Sequence, residues 1–236
     1  MDSALVFYLF MFFYAVEGSL SPTAAPSSVR SSQNNIKTYA GIGPSTAASG
    51  TGGPATSAAF DAPRTVVMDS TGVFYILESY SGCIRKVSTG NIVSAFVGIC
   101  GTSSFTGDNG PASASTINFP VGMVLDTVGN FYFSDFYNCR ARYVSTSGII
   151  STIAGNGVAT TTGMGGPATS ASLNSPHGMW MSSTNSIYVT LYQESTVKVF
   201  TKGGTVLSVG GIFFVRFARS VCFYNCCRYW YFRISE

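Results

Sequence analysis

The chain has 236 residues, a formal net charge of +3, and only 10% charged side chains against 46% apolar ones. Charged residues normally make up about a quarter of a soluble domain, so Ser, Thr and Gly fill the deficit. A small, scattered positive charge excludes a nucleic-acid protein that works through a basic surface.

Taken in order, residues 1–18 read as a secretory signal: 4–16 is an uncharged, mainly apolar run of thirteen residues, and Val16-Glu17-Gly18 precedes a cut at Ser19. The n-region is atypical, because Asp2 is its only charge. The apolar run falls short of the ~20 residues a membrane-spanning helix needs, so no stable span is expected. Residues 19–34 form a Ser/Pro/Ala linker.

From residue 35 the chain repeats itself. Pro63, Pro120 and Pro176 are spaced by 57 and 56 residues, as are Tyr75, Tyr132 and Tyr188 and the pairs Gly53-Pro54, Gly110-Pro111 and Gly166-Pro167. Several columns holding one period define units over 35–91, 92–148 and 149–204, with the start of a fourth at 205–211. The middle unit is the clearest. Its stretch 119–144, FPVGMVLDTVGNFYFSDFYNCRARYV, holds three short β-prone runs separated by turns at 127–130 and 135–138. A fourth run opens each following unit, at 92–97, 149–154 and 205–209. Four strands per unit, no helical period and many glycines predict an all-β chain of meandering four-stranded antiparallel sheets. Radial repetition of such sheets makes a β-propeller.

These residues carry a resemblance. Pro120-Val121-Gly122, Asp126, Gly129-Asn130-Phe131-Tyr132, Asp135, Asn138 and Arg142-Tyr143-Val144 resemble the NHL repeat, and the loop Gly107-Asp108-Asn109-Gly110-Pro111-Ala112 resembles the long connecting loop of one NHL subgroup. The resemblance covers about 35–211. Unit one has Glu78 and Ser81 where unit two has Asp135 and Asn138, unit three has Ser182, Leu191 and Glu194 in the polar columns, and a basic column runs Arg85, Arg142, Lys198. The resemblance implies a six-bladed propeller, of which about three blades are present. Three units do not close a ring, so self-association through unclosed blade faces is expected, and an inactive truncated fragment is a further reading.

The last stretch breaks the pattern. Val221 and Cys222 stand where the next Gly-Pro would fall, and 212–236 is crowded with Phe, Tyr, Cys and Arg. This tail is read as foreign to the domain, the product of a misassigned exon or frameshift. Cys83, Cys100 and Cys139 fall in three different columns, so the sequence predicts free thiols here and not a disulfide framework. No Asn-x-Ser/Thr sequon occurs.

Chemistry-bearing residues are few. The one histidine, His177, has Arg64 and Val121 in its column and reads as a loop residue at the rim. A propeller lyase of the peptide-amidating type would need several histidines for zinc, and no G-x-S-x-G elbow accompanies His177 for nucleophilic catalysis. Asp69 and Asp126 each precede a turn and read as Asx-type acceptors more readily than as Ca²⁺ ligands. The glycine-rich loops lack the Lys-Ser/Thr of a phosphate cradle. No cofactor or metal is expected, and nucleic acid is not.

The reading that results is a secreted binding or scaffold module for a protein or glycan, without catalysis. The alternative is an enzyme of the propeller lactonase or lyase type, which would need convergent His, Asp, Glu or Asn ligands at matched strand starts. The long loops 41–61, 98–118 and 155–174 join one unit to the next and should share a rim. On them Phe105, Asp108 and Asn109 are the candidate binding residues.

Overall fold

The structure, a computed structural model, describes residues 36–160 and 162–209. The signal, the linker and the aromatic tail expected from the sequence lie outside these residues. Alternating apolar and polar positions, cut by Gly-containing turns, produce twelve strands in three antiparallel meanders. The first sheet is β1 (Pro63–Met68), β2 (Phe74–Glu78), β3 (Cys83–Val87) and β4 (Val93–Val97). The second is β5 (Pro120–Leu125), β6 (Phe131–Asp135), β7 (Arg140–Val144) and β8 (Ile150–Ala154). The third is β9 (Pro176–Met181), β10 (Ile187–Leu191), β11 (Thr196–Phe200) and β12 (Leu207–Ser208). Within each sheet, strands pair in sequence order. Two single-turn 3₁₀ segments, Ala55–Ser57 and Ala112–Ala114, are the helical elements among the described residues. The described chain is all-β, three four-stranded blades of propeller type.

The blades meet through their first strands. Thr65 Oγ1 donates to the Val121 carbonyl (2.7 Å), Ser79 Oγ to the Pro120 carbonyl (2.6 Å), and Ser134 Oγ to the His177 carbonyl (2.6 Å). The approach is closest at Gly122, where a Cβ would lie 2.5 Å from the His177 carbonyl oxygen and 2.9 Å from the Met179 nitrogen. Glycine is required there because β5 and β9 nearly touch.

The apolar cores lie between blades, as face-to-face sheet packing demands. Leu77, Ile84 and Val97 of the first blade pack with Met123, Phe131, Phe133, Val144 and Ile150 of the second. Tyr132, Ala141, Ile153 and Ala154 of the second pack with Ile187, Val189, Leu191 and Phe200 of the third. The column Val67, Val124 faces these cores, and its third member, Trp180, is 54% exposed against Tyr188.

The cysteine expectation is corrected in part. Cys83 and Cys100 form a disulfide with a Cα–Cα distance of 5.0 Å; Cys139 is a buried free thiol. The comparison of columns across blades missed this because the bridge lies inside one blade. Cys83 opens β3, Val97 ends the neighbouring β4 opposite Ile84, and Cys100 follows three residues later. In the second blade the matching positions are Arg140 and Gly157. There the Arg140 guanidinium donates to the Asn138 and Asn156 carbonyls (2.8 and 3.0 Å), in the space that a Cβ on Gly157 would take. A covalent clasp in one blade is a polar clasp in the next.

Candidate functional site

The basic column forms the polar interior of each blade. Arg85, fully buried, donates to both oxygens of Glu78 (2.5 and 3.0 Å), to the Ser49 carbonyl (2.7 Å) and to the Ala59 carbonyl. Arg142, also fully buried, donates to Asp135 (3.0 Å) and to Asp108 (2.8 Å). Burial pushes the Asp135 carboxyl up to about 6, against the opposing donors of Asn138, Asn118 and Arg142. In the third blade Leu191 replaces the acid, and Lys198 turns instead to Glu194 on the adjacent turn (3.9 Å) and to Ser208 (3.1 Å). A buried cation needs a carboxylate partner, so the substitution in one column is matched by a carboxylate three residues on.

This network takes up the loop residues singled out from the sequence. Phe105 is half-buried, with the Arg140 and Arg142 guanidinium carbons 3.8 and 4.7 Å from its ring centroid. Asp108 holds Arg142 with one oxygen and accepts from Thr152 Oγ1 with the other (2.7 Å). Asn109 sits at φ +65°, its N–H donating to the Ile150 carbonyl (2.7 Å). Next to it Pro111 bridges to Ile149, as Pro54 does to Ile92 and Pro167 to Thr205. The long loops thus leave from one rim, but their Gly-Pro-Ala segments lie along the outer strands and cover sheet edges.

Asp69 and Asp126 are turn acceptors, as read. Asp69 takes the N–H groups of Thr71 and Val73 and the hydroxyls of Thr71 and Tyr75; Asp126 takes those of Val128, Asn130 and Tyr132. Burial would raise both carboxyls, and these donors together hold them below the usual carboxylate value. In the third blade the Ser182 hydroxyl takes the same place, accepting from Ser186 (3.0 Å).

The feature that stands apart lies on the rim where β1, β5 and β9 begin. Strand pairing brings Pro63 opposite Glu78, Pro120 opposite Asp135 and Pro176 opposite Leu191, so the β2–β3, β6–β7 and β10–β11 turns share that end. Phe119 is the hub. Its ring lies 5.6 Å from Tyr80, 5.7 Å from Phe136 and 4.9 Å from Tyr137, with the Arg64 guanidinium 4.8 Å above it. Phe136 continues to His177 (6.1 Å) and Tyr192 (6.2 Å), and His177 stacks on Tyr192 (6.0 Å). Tyr80 and Tyr137 are 65% and 61% exposed, and Arg64 is exposed. The result is a run of aromatic rings crossing all three blades.

Phe119 has φ +53°, rare for a bulky side chain. Ala62 (φ +47°) and Ser175 (φ +56°) occupy the same column with the same backbone. The conformation therefore belongs to the blade entry, and the aromatic side chain is what this blade adds.

His177 is not in a loop, as the sequence suggested, but the second residue of β9, half-buried at this rim. Burial, aided by the positive charge of Arg64, lowers it to about 4, so the ring is neutral at pH 7. Among the described residues no group of three His, Cys, Asp or Glu side chains is placed to hold a metal ion. Sequence reading passed over this rim because 135–138 looked only like a turn. The signal was the column pair Ser79-Tyr80, Phe136-Tyr137, Tyr192-Gln193, where aromatic residues recur at turns that need none.

No family model matches the chain, and no curated protein matches it. Similar solved structures include an auxiliary nutrient binding protein from Bacteroides thetaiotaomicron (17% identity, TM-score 0.49, covering 58% of this chain and 37% of that one). Virginiamycin B lyase from Staphylococcus aureus aligns at 14% identity and a TM-score of 0.42, over 61% of this chain and 39% of that one. A gluconolactonase from Xanthomonas campestris aligns at 13% and 0.44, over 61% and 46%. The chain thus spans less than half of the length of each of these proteins. Among the described residues no helix is long and apolar enough to cross a membrane.

Proposed function

We propose that this is an exported, NHL-like propeller module that binds a protein or glycan ligand on the Phe119 rim and catalyses no reaction. The carrying observation is the pair of exposed tyrosines, Tyr80 and Tyr137, on turns that could close with small polar residues, both packed on the half-buried Phe119 ring. Exposed aromatic side chains clustered beside a cation are the usual anchors of a binding surface. Phe105, Asp108 and Asn109 support this surface indirectly, by fixing the loop that delivers Phe119 to it. Export is supported by the apolar run at 4–16 and by the Cys83–Cys100 bond, since disulfides persist in oxidising compartments. The exposed Trp180 face is where self-association of the chain would occur.

The test is a binding screen of the secreted protein against glycan and peptide collections, repeated with Tyr137→Ala, Phe119→Ala and Val128→Ser. Val128 is 73% exposed and lies in the β5–β6 turn, at the opposite end of β6. Ligands lost with the two rim variants and kept with Val128→Ser support the assignment. The reverse pattern refutes it.

A further inference from the structure

Resting on the rim as the binding surface, we infer that its ligand is an acidic oligosaccharide, with a sugar carboxylate at Arg64 and sugar rings against Tyr80 and Tyr137. Three features of the rim select this class over the others.

The first is charge. Arg64 is exposed and held over Phe119, and among the described residues no carboxylate lies within salt-bridge distance of it. His177, the other ionisable ring facing it, is neutral at pH 7. The carboxylates at this end of the blades have other partners: Asp61 accepts from Ser81, Glu78 pairs with Arg85, Asp135 with Arg142, and Glu194 with Lys198. The rim therefore presents one exposed cation with no carboxylate among the described residues in salt-bridge contact, which suits one anionic group per ligand repeat.

The second is the shape of the anchors. Tyr80 and Tyr137 offer flat amphipathic rings on rigid turns, at little cost in rotamer freedom. A pyranose presents polarised C–H bonds on one face and hydroxyls around its edge. The C–H face meets the electron-rich ring, while the phenol oxygens remain free for the hydroxyls.

The third is what the rim does not offer. A peptide adding as a strand needs a free sheet edge. At this rim the turn amides are already used: Ser79 N–H donates to Ala62, Tyr137 to Asn118, Cys139 to Phe136 and Tyr192 to Ser175. A helix needs an aliphatic groove, and these anchors are phenols on turns. Single-stranded nucleic acid needs a basic track beside its stacking rings. Of the nearby cations, Arg85, Arg142 and Lys198 are buried, and Arg140 is bound to two carbonyls, leaving Arg64 alone.

The experiment is calorimetric titration of the full secreted chain with three probes. These are a short oligogalacturonate, the same oligosaccharide with its carboxyls methyl-esterified, and a polyglutamate peptide. The acid and its ester differ only at the carboxyl, where the ester loses the charge and gains a methyl group. The inference predicts that the acid binds about tenfold tighter than the ester, the worth of one hydrogen bond to a charged group, and that salt narrows the gap. Arg64→Gln should bring acid and ester to equal affinity, and Tyr137→Ala should weaken both three- to tenfold. Near-ultraviolet circular dichroism of both variants confirms that they fold. No binding of the oligogalacturonate, or equal binding of acid and ester by the unaltered chain, overturns the inference. If polyglutamate binds instead and Tyr137→Ala abolishes it, the ligand class is wrong while the rim assignment survives. If nothing that the chain binds is altered by Tyr137→Ala, both fail.

Discussion

Replacing both bridge cysteines, Cys83→Ala with Cys100→Ala, tests the clasp that starts the long loop toward Phe119. Cys83 and Cys100 are 17 residues apart. Cross-linking a loop of that size removes about 10–11 cal/mol/K of entropy from the unfolded chain, or about 3 kcal/mol at 25 °C. Cys83 is fully buried at the foot of β3, so truncation to alanine also forfeits some packing. For a domain of this size, 1 kcal/mol moves the melting temperature by about 2–4 °C. The double variant should therefore melt about 6–12 °C below the parent. The assay is thermal unfolding by circular dichroism, parent and variant side by side, with the parent also measured after reduction. Reduced parent and double variant should agree within a few degrees. If the oxidised parent, shown by mass spectrometry to carry the bridge, melts with the variant, the argument from loop closure is wrong. A fall seen only in the variant and not on reduction would place the effect in packing at Cys83 instead.

Arg142→Met should destabilise the chain by about 3–5 kcal/mol in urea unfolding, because it leaves the fully buried Asp135 carboxylate without its cation; adding Asp135→Leu should recover most of that loss. Gly122→Ala should cost about 1–3 kcal/mol, read from the same transitions, since the new Cβ meets β9 backbone and not a movable side chain. The unfolded chain protonates a histidine near 6.5, whereas native His177 waits until about 4. Stability attributable to it is therefore complete above 6.5 and lost as pH falls toward 4, by about 1–2 kcal/mol after allowing for solvent screening. Asp135, raised to about 6, acts with the opposite sign over nearly the same range, so the measurement is the difference in pH slope between the parent and His177→Gln: between pH 4 and 6.5 the parent's stability should rise with pH relative to that of the variant, which keeps only the opposing Asp135 slope.

The fold was legible because a propeller blade is specified by short-range rules that repeat. Strand alternation, Asp69 and Asp126 at Gly turns, and prolines at strand entries recur with one period, and each is a local signal. The basic column was visible too, but its meaning was not. Arg142 lies opposite Phe133 and reaches Asp135 on the diagonal only because β6 and β7 pair in register, and Asp108 joins them from a loop 34 residues from Arg142. The disulfide was hidden for the same reason: adjacency of Cys83 and Cys100 depends on the β3–β4 register and on the turn after Val97. Sequence columns compare blade with blade, whereas these contacts run within a blade or between loop and blade.

That distinction also separates framework from site. Columns that hold across the three units build the framework: Tyr75, Tyr132 and Tyr188 on the second strands, the first two packing against the next blade, and Arg85, Arg142 and Lys198 in the blade interiors. Columns that change sit on the rim: Ala62, Phe119 and Ser175 at the strand entries, Arg64, Val121 and His177 beside them, Tyr80, Tyr137 and Gln193 on the turns. The backbone at these entries is the same in every blade, φ +47° to +56°, so the fold requires no particular side chain there. Where backbone is constant and side chain is free, an aromatic residue with its ring largely in water is costly to leave exposed. Tyr80 and Tyr137 stand at such positions around the half-buried Phe119, with Arg64 above its ring, and a ligand that covers the tyrosines and neutralises the guanidinium accounts for both.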